Sequence, residues 1–184
     1  MTTTPPAAGE PLSAKLRAAS RAMHTKSLMA MPAAPAPAPA RFARYLACQR
    51  DAYLAMRDFP VHVPMLDDLE ADLATIRSDA LAGLRDCDDA YPTYLASSPA
   101  HVQGCHWYNL VFAHLAGGGR LVAQAAAPPG FLDTSRYYAA AQRVDVEGLR
   151  AEFDGTAATW TPAQRRRCVD ETPTVFSFMV DMVP

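Results

Sequence analysis

Hydrophobic residues recur along this chain every three to four positions, the period of a helix with one buried face. Phe42, Tyr45, Leu46, Tyr53 and Leu54 mark one such face, and Leu66, Leu69, Leu73, Ile76, Ala80 and Leu84 another with acids opposite. The pattern predicts helices over Leu12 to about Met31, Ala40–Arg57, Met65 to about Arg85, Ala100 to about Ala126, Asp145–Thr159 and Thr161–Val183. Prolines mark the intervals. Pro32–Pro39 alternates with alanine and favours an extended polyproline spacer. Phe59-Pro60 and Pro64 break the second helix from the third, Asp86–Pro99 reads as a short connector around Tyr91-Pro92, and Pro128-Pro129-Gly130 stops the fourth helix. Pro173, inside the last span, should kink or divide it. No stretch alternates convincingly enough for a sheet, and no internal repeat is visible. The expectation is an all-α, single-domain multi-helix bundle over residues 11–184, preceded by a disordered tail over residues 1–10.

Composition narrows the function classes. A chain of 184 residues suits one domain, and a domain of that size buries about 70% of its unfolded surface. The formal net charge of −2 gives no reason to expect nucleic acid as a partner. No apolar run reaches the length of a membrane span. Cys48, Cys87, Cys105 and Cys168 are scattered, without the paired spacing of a zinc site. They are expected to be small buried groups in a reducing compartment. Met1–Glu10 lacks the basic start of a signal peptide and reads as a tail, or as the remnant of a processed transit peptide. A di-iron carboxylate bundle needs Glu-x-x-His motifs and several facing carboxylates. Glutamate occurs only at 10, 70, 147, 152 and 171, never three residues before a histidine.

The most informative stretch is Cys105-His106-Trp107-Tyr108-Asn109-Leu110-Val111-Phe112-Ala113-His114-Leu115-Ala116-Gly117-Gly118-Gly119-Arg120. An aromatic-rich helical pattern runs straight into three glycines. Each glycine inside a helix is about 1 kcal/mol worse than alanine. Three together point to a bend, or to backbone lying close against something flat or bulky. The run Tyr-Asn-x-x-Phe-Ala-His-x-Ala-Gly-Gly-x-Arg resembles the distal helix of plant-type heme oxygenases. Leu16-Arg17-Ala18-Ala19-Ser20-Arg21-Ala22-Met23-His24-Thr25-Lys26 resembles the proximal helix of the same family. Leu149–Asp154, Trp160-Thr161-Pro162 and Cys168–Thr172 look like its last two helices. The matches fall in the family's order and together run over most of the chain from residue 12, the middle from about 58 to 98 excepted.

The resemblance implies a heme held between the proximal helix and a glycine-bent distal helix, heme being both cofactor and substrate. It makes His24 the proximal iron ligand. Arg17, Tyr108 and Arg150 take the propionates, and Gly117 and Gly118 form the contact pair over the ring. His114, three residues before Gly117, would order distal water rather than bind iron. Arg17 stands seven residues before His24, about 10 Å along one helix face, a reasonable reach from iron to porphyrin rim. Leu28 occupies the position where the family carries Glu or Gln to hold the ligand's other nitrogen, and Ser20 or Ser27 is placed to substitute. Met23, Val111, Phe112 and Leu115 would wall off bulk water. His101 and His106 are expected to be surface or core histidines. Arg165-Arg166-Arg167 reads as a solvated face or a docking patch for an acidic partner. The implied reaction opens heme to biliverdin, carbon monoxide and ferrous iron, using dioxygen and electrons from ferredoxin. The implied setting is a plastid, with the cytoplasm as the alternative, and the expected state is a monomer. The competing reading is a non-catalytic heme- or tetrapyrrole-binding relative. Retention of His24, His114 and the glycines favours the enzyme.

Overall fold

The computed structural model describes residues 10–30, 39–56, 59–80 and 90–182, less the side chains of residues 24–30, 39–41, 77–80, 125 and 126. The described residues form helices and connecting turns, with no strand among them. Helix α1 runs over Leu12–Ala30, α2 over Pro39–Ala55, α3 over Leu66–Ala80 and α4 over Ala90–Ser97. Helices α5 (Ala100–Leu115) and α6 (Gly118–Ala126) follow, then the short α7 (Phe131–Thr134) and α8 (Arg136–Ala141). Helices α9 (Val146–Ala158), α10 (Pro162–Asp170) and α11 (Thr172–Met182) close the described chain. The all-α bundle expected from the sequence is the observed architecture. Residues 1–9, the Pro32–Ala38 part of the spacer and the end of the third predicted helix lie outside the described residues.

Local chemistry sets the boundaries. Asp145 caps α9 by accepting from the Gly148 amide at 3.0 Å. Thr161 and Gln164 form a reciprocal capping box around Pro162 at the start of α10. Pro173 divides the last predicted helix, falling in the first turn of α11, where the missing amide is tolerated. The predicted connector around Tyr91-Pro92 is instead α4. Pro92 sits near that helix's start, and Tyr91 and Leu95 are buried one turn apart. Helices α7 and α8 had no predicted counterpart. Ser135 caps α8, and the buried Asp72 carboxylate on α3 accepts from the Ser135 hydroxyl and from the Arg136 and Tyr137 amides at 2.5, 3.0 and 3.1 Å. That cap joins α8 to α3, a tertiary tie that a six-residue segment's own pattern does not reveal.

Helix α5 is the centre of the bundle. It packs against α1, α6, α9, α10 and α11, and every residue from Gly104 to Phe112 is buried. Trp107 stacks on Phe153 of α9 at 5.8 Å, and Gly104 leaves room for Trp160, whose ring would meet an added Cβ at 2.5 Å. Cys105 and Cys168 are buried free thiols, as expected. Cys48 is buried in α2 but disulfide-bonded, so the reduced state expected of all four cysteines does not hold for it. No described helix is long and apolar enough to cross a membrane.

Asp72→Ala should lower stability by about 3 kcal/mol, because a buried charged acceptor serving three donors is lost. Urea unfolding checks this through a lower midpoint at unchanged slope. An unaltered midpoint would mean that the α3–α8 tie contributes nothing.

Candidate functional site

Three helices converge on one cleft of about 330 Å³, at the small end of the range for ligand sites. Helix α1 supplies Arg17, Ser20 and Arg21; α5 supplies Tyr108, Asn109, Phe112, Ala113 and Leu115, with Ala116 just past its end; α9 supplies Val146 and Arg150. The spacing explains the convergence. Positions 17 and 21, 108 and 112, and 146 and 150 are one helical turn apart and share a face on their own helices.

The rim is cationic and the walls are largely apolar. Arg17 is exposed, and no carboxylate among the described residues pairs with it. Arg150 pairs with Glu147, a surface carboxylate one turn away, and its guanidinium lies 5.2 Å from the centre of the Phe112 ring. Tyr108 is buried, and its hydroxyl donates to the Ser13 carbonyl at 2.9 Å. Ser13 is itself fixed by Asp154 of α9, which accepts from its amide at 2.9 Å and from its hydroxyl at 2.5 Å. Burial raises the Tyr108 phenol above its ordinary value, while Arg150 and Arg17 pull the other way. At the floor, the Asn109 side chain donates to the Cys105 carbonyl at 2.9 Å and accepts from the Ser20 hydroxyl at 2.5 Å. Sequence reasoning offered Ser20 as a partner for His24; the structure engages it with Asn109 and with the Leu16 carbonyl.

The cleft thus gathers Arg17, Tyr108 and Arg150, assigned from three separate stretches of sequence. His24 lies on α1 two turns beyond Arg17, but its side chain, like that of Leu28, is outside the described residues. His114 does not line the cleft. Two residues after Phe112, it points about 200° around the helix from it. Its ring stacks on Tyr137 at 4.0 Å and lies 5.0 Å from Tyr138. It is 4% exposed, and neither ring nitrogen has a partner. Burial pulls its pKa from 6.5 down to about 4, so the ring is neutral at ordinary pH.

The glycine run ends α5. Gly117 adopts φ 96°, a left-handed conformation that glycine takes without steric penalty. Gly118 lies against backbone, where an added Cβ would meet the Ala113 carbonyl oxygen at 2.9 Å. Gly119 makes room for His114, whose Nδ1 would lie 2.2 Å from an added Cβ. The sequence reading placed the constraint on the first two glycines. The third is equally constrained, and the unbroken run was the signal for it. Tyr137 and Tyr138 were also missed, because their place beside His114 depends on the unanticipated α8.

His101 is half-buried and His106 fully buried, as expected of surface or core histidines. His106 accepts from or donates to the Tyr91 hydroxyl at 2.9 Å and lies 3.4 Å from Glu171. Burial lowers its pKa to about 4 against the opposing pull of Glu171. No cluster of His, Cys, Asp or Glu among the described residues could hold a metal ion.

Fold and cleft together define an all-helical protein with an amphipathic, cation-rimmed cleft. In sequence it has partial homology to plant heme oxygenases. It is 28% identical over 97 residues to the chloroplastic heme oxygenase 1 of Oryza sativa subsp. japonica, covering 51% of this chain and 33% of that one. It is 30% identical over 77 residues to the chloroplastic heme oxygenase 1 of Arabidopsis thaliana, covering 40% of this chain and 27% of that one. The chain therefore spans a third or less of the length of the curated relatives it matches. No family model matches it.

The two buried neutral histidines make stability fall in acid. Unfolding releases imidazoles that take up protons below pH 6.5, while the folded rings stay neutral down to about pH 4. Their contribution is complete above pH 6.5 and is lost as pH falls through that window, by up to about 1.4 kcal/mol per pH unit for each ring. Urea midpoints measured across the window should drop, and less steeply in His114→Leu. A flat profile would show that the rings are solvated.

Proposed function

We propose that this chain is a heme oxygenase-type protein that holds heme between α1 and α5 and acts in its oxidative opening. The carrying observation is the meeting of Arg17, Tyr108 and Arg150 at one apolar cleft. The partial homology to plant heme oxygenases supports the same reading. The donors fit the ligand: the Arg17 and Arg150 guanidiniums and the Tyr108 phenol beside the Phe112 face suit a flat apolar body with two carboxylates at one edge. A cleft of about 330 Å³ takes that edge rather than the whole ring. When bound, heme supplies the dioxygen activation and is itself the substrate, yielding biliverdin, carbon monoxide and ferrous iron.

The residues of the chain divide the remaining work. Arg150 exchanges the exposed Glu147, whose ion pair is worth at most about 1 kcal/mol, for a ligand carboxylate. Arg17, without a carboxylate of its own, accepts the second. Tyr108 is held by Ser13 with its oxygen toward the guanidiniums. Phe112, Leu115 and Val146 keep bulk water from the ring edge. His24 is proposed, on the resemblance around it, as the residue that would hold the heme iron. His114, neutral and with both nitrogens unpartnered, is proposed to order a water at the distal side. Gly117 turns the chain between α5 and α6. Ferredoxin as donor, dioxygen as co-substrate, a monomeric state and a plastid setting complete the proposal. The orientation of His114 away from the cleft favours a second reading, a heme-binding protein without turnover.

Titration with hemin should give a saturable histidine-ligated Soret band, abolished in His24→Ala while helical content stays unchanged. Arg17→Ala and Arg150→Ala should each weaken binding a few-fold, in keeping with about 0 to 1 kcal/mol for exposed ionic contacts. Affinity unmoved in the double variant would remove both arginines from the site.

With ferredoxin, its reductase and NADPH in air, the Soret band should decay as a red-absorbing biliverdin band grows and carbon monoxide is released. Persistence of the heme spectrum would leave the binding-protein reading in its place. In His114→Ala, binding should stay near normal while ring opening slows. Unimpaired ring opening would remove His114 from proton delivery.

A further inference from the structure

A second buried polar cluster lies nearer the start of α5, outside the cleft lining. The Tyr91 hydroxyl of α4 is 2.9 Å from His106 Nδ1. His106 Nε2 is 3.4 Å from Glu171 Oε1, and the same oxygen accepts from the Tyr94 hydroxyl at 2.5 Å. Tyr91, His106 and Glu171 are 4%, 0% and 3% exposed. Tyr91 also stacks on Phe178 at 4.3 Å. The order is phenol, imidazole, carboxylate, with the imidazole between the two oxygens.

We propose that Tyr91, with His106 and Glu171, is a redox-active tyrosine site that yields one electron to one-electron oxidants and passes its proton to His106. The step balances. The oxidant gains one electron and Tyr91 loses one. The phenol O–H bond breaks and an N–H bond forms at His106 Nδ1, while the Nε2 proton passes to Glu171 Oε1. The site's charge changes from −1 to 0, the loss of one electron, and no imidazolium or phenol cation is left buried. Burial holds the Tyr91 phenol well above its ordinary pKa, so its oxidation is coupled to loss of the proton. The neutral ring of His106 is free to accept it.

The other buried phenols lack this feature. Tyr53 and Tyr137 hydroxyls face one another at 3.2 Å. Tyr137 donates to the Gln49 side chain at 3.1 Å, and Gln49 donates to the Tyr45 hydroxyl at 2.8 Å. An amide is no base, so those phenols have nowhere to release a proton. Tyr94 shares the carboxylate of Glu171 but not the imidazole, and stands as the internal rival. His106 is one helical turn, three residues or about 4.5 Å of rise, from Asn109 at the cleft floor. A redox-active ligand in the cleft would therefore place oxidants close by, although the site does not depend on that reading.

The test uses the protein without heme, so its outcome is separate from that of the proposed function. Hexachloroiridate(IV) is the oxidant, and freeze-quenched electron paramagnetic resonance is the readout. A tyrosyl radical signal is expected, lost in Tyr91→Phe and retained in Tyr53→Phe and Tyr94→Phe. In His106→Gln the yield should fall several-fold, with folding verified by circular dichroism. The unmodified protein should form the radical more slowly in deuterium oxide, a readout that needs no variant and that a merely structural triad would not give. An undiminished signal in Tyr91→Phe, its loss in Tyr94→Phe instead, or a rate indifferent to deuterium would each overturn the proposal.

Discussion

Burial of α5 on every side is the constraint on which the rest of the structure depends. A helix so enclosed satisfies its backbone internally, but its polar side chains must find partners in the surrounding helices or be left desolvated. Tyr108 finds the Ser13 carbonyl of α1, Asn109 finds Ser20 of the same helix, and His106 finds Tyr91 and Glu171. These bonds fix the rotation of α5 as well as its position. Leu, Phe and Trp would pack in several registers at similar energy. The directional bonds to α1, α4 and the α10–α11 junction select one.

The cleft follows from that choice. Once Asn109 is tied to Ser20, α1 and α5 are joined at the floor. Arg17 then lies one turn toward the start of α1, on the rim. Tyr108 cannot swing out, because its hydroxyl is held by Ser13 and Ser13 by Asp154 of α9. The same Asp154 therefore brings α9 alongside, with Arg150 one turn back from it. Three cleft-defining residues from distant sequence are held through two hydrogen-bond links, Ser20–Asn109 and Tyr108–Ser13–Asp154.

The parts legible from sequence were those with a local signal. Helix positions followed from hydrophobic period, and the breaks at Gly117 and Pro173 from backbone chemistry that acts within a few residues. The Arg17–Tyr108–Arg150 group was legible through resemblance, and the geometry of helical faces then brings it together. Features that depend on tertiary partners were not legible. Helix α8 exists through the Asp72 cap, 63 residues from Ser135, and α4 was hidden because Pro92 resembles a breaker when its place in the first turn is unknown. The Cys48 disulfide contradicts a compositional prior. The orientation of His114 depends on Tyr137 and on the absent Cβ of Gly119, and no reading of the motif's spacing contains either.

The charge distribution sets what chemistry the cleft is complementary to. The chain as a whole is slightly negative, yet at this rim Arg17 stands without a carboxylate partner and Arg150 has only an exposed one. A neutral flat ligand would bury the Phe112 face but desolvate the arginines without compensation. A small dianion would pair with them but leave the apolar wall wet. A ligand that is apolar over most of its area and anionic at one edge satisfies both halves of the cleft. The anionic edge also fixes orientation, since rotating the ligand in its own plane separates the carboxylates from both guanidiniums. Rim charges of this kind contribute little to affinity in water. Their larger effect is on orientation: an anionic edge bound there would be held beside Arg17 and Arg150, with the apolar body of the ligand against Phe112.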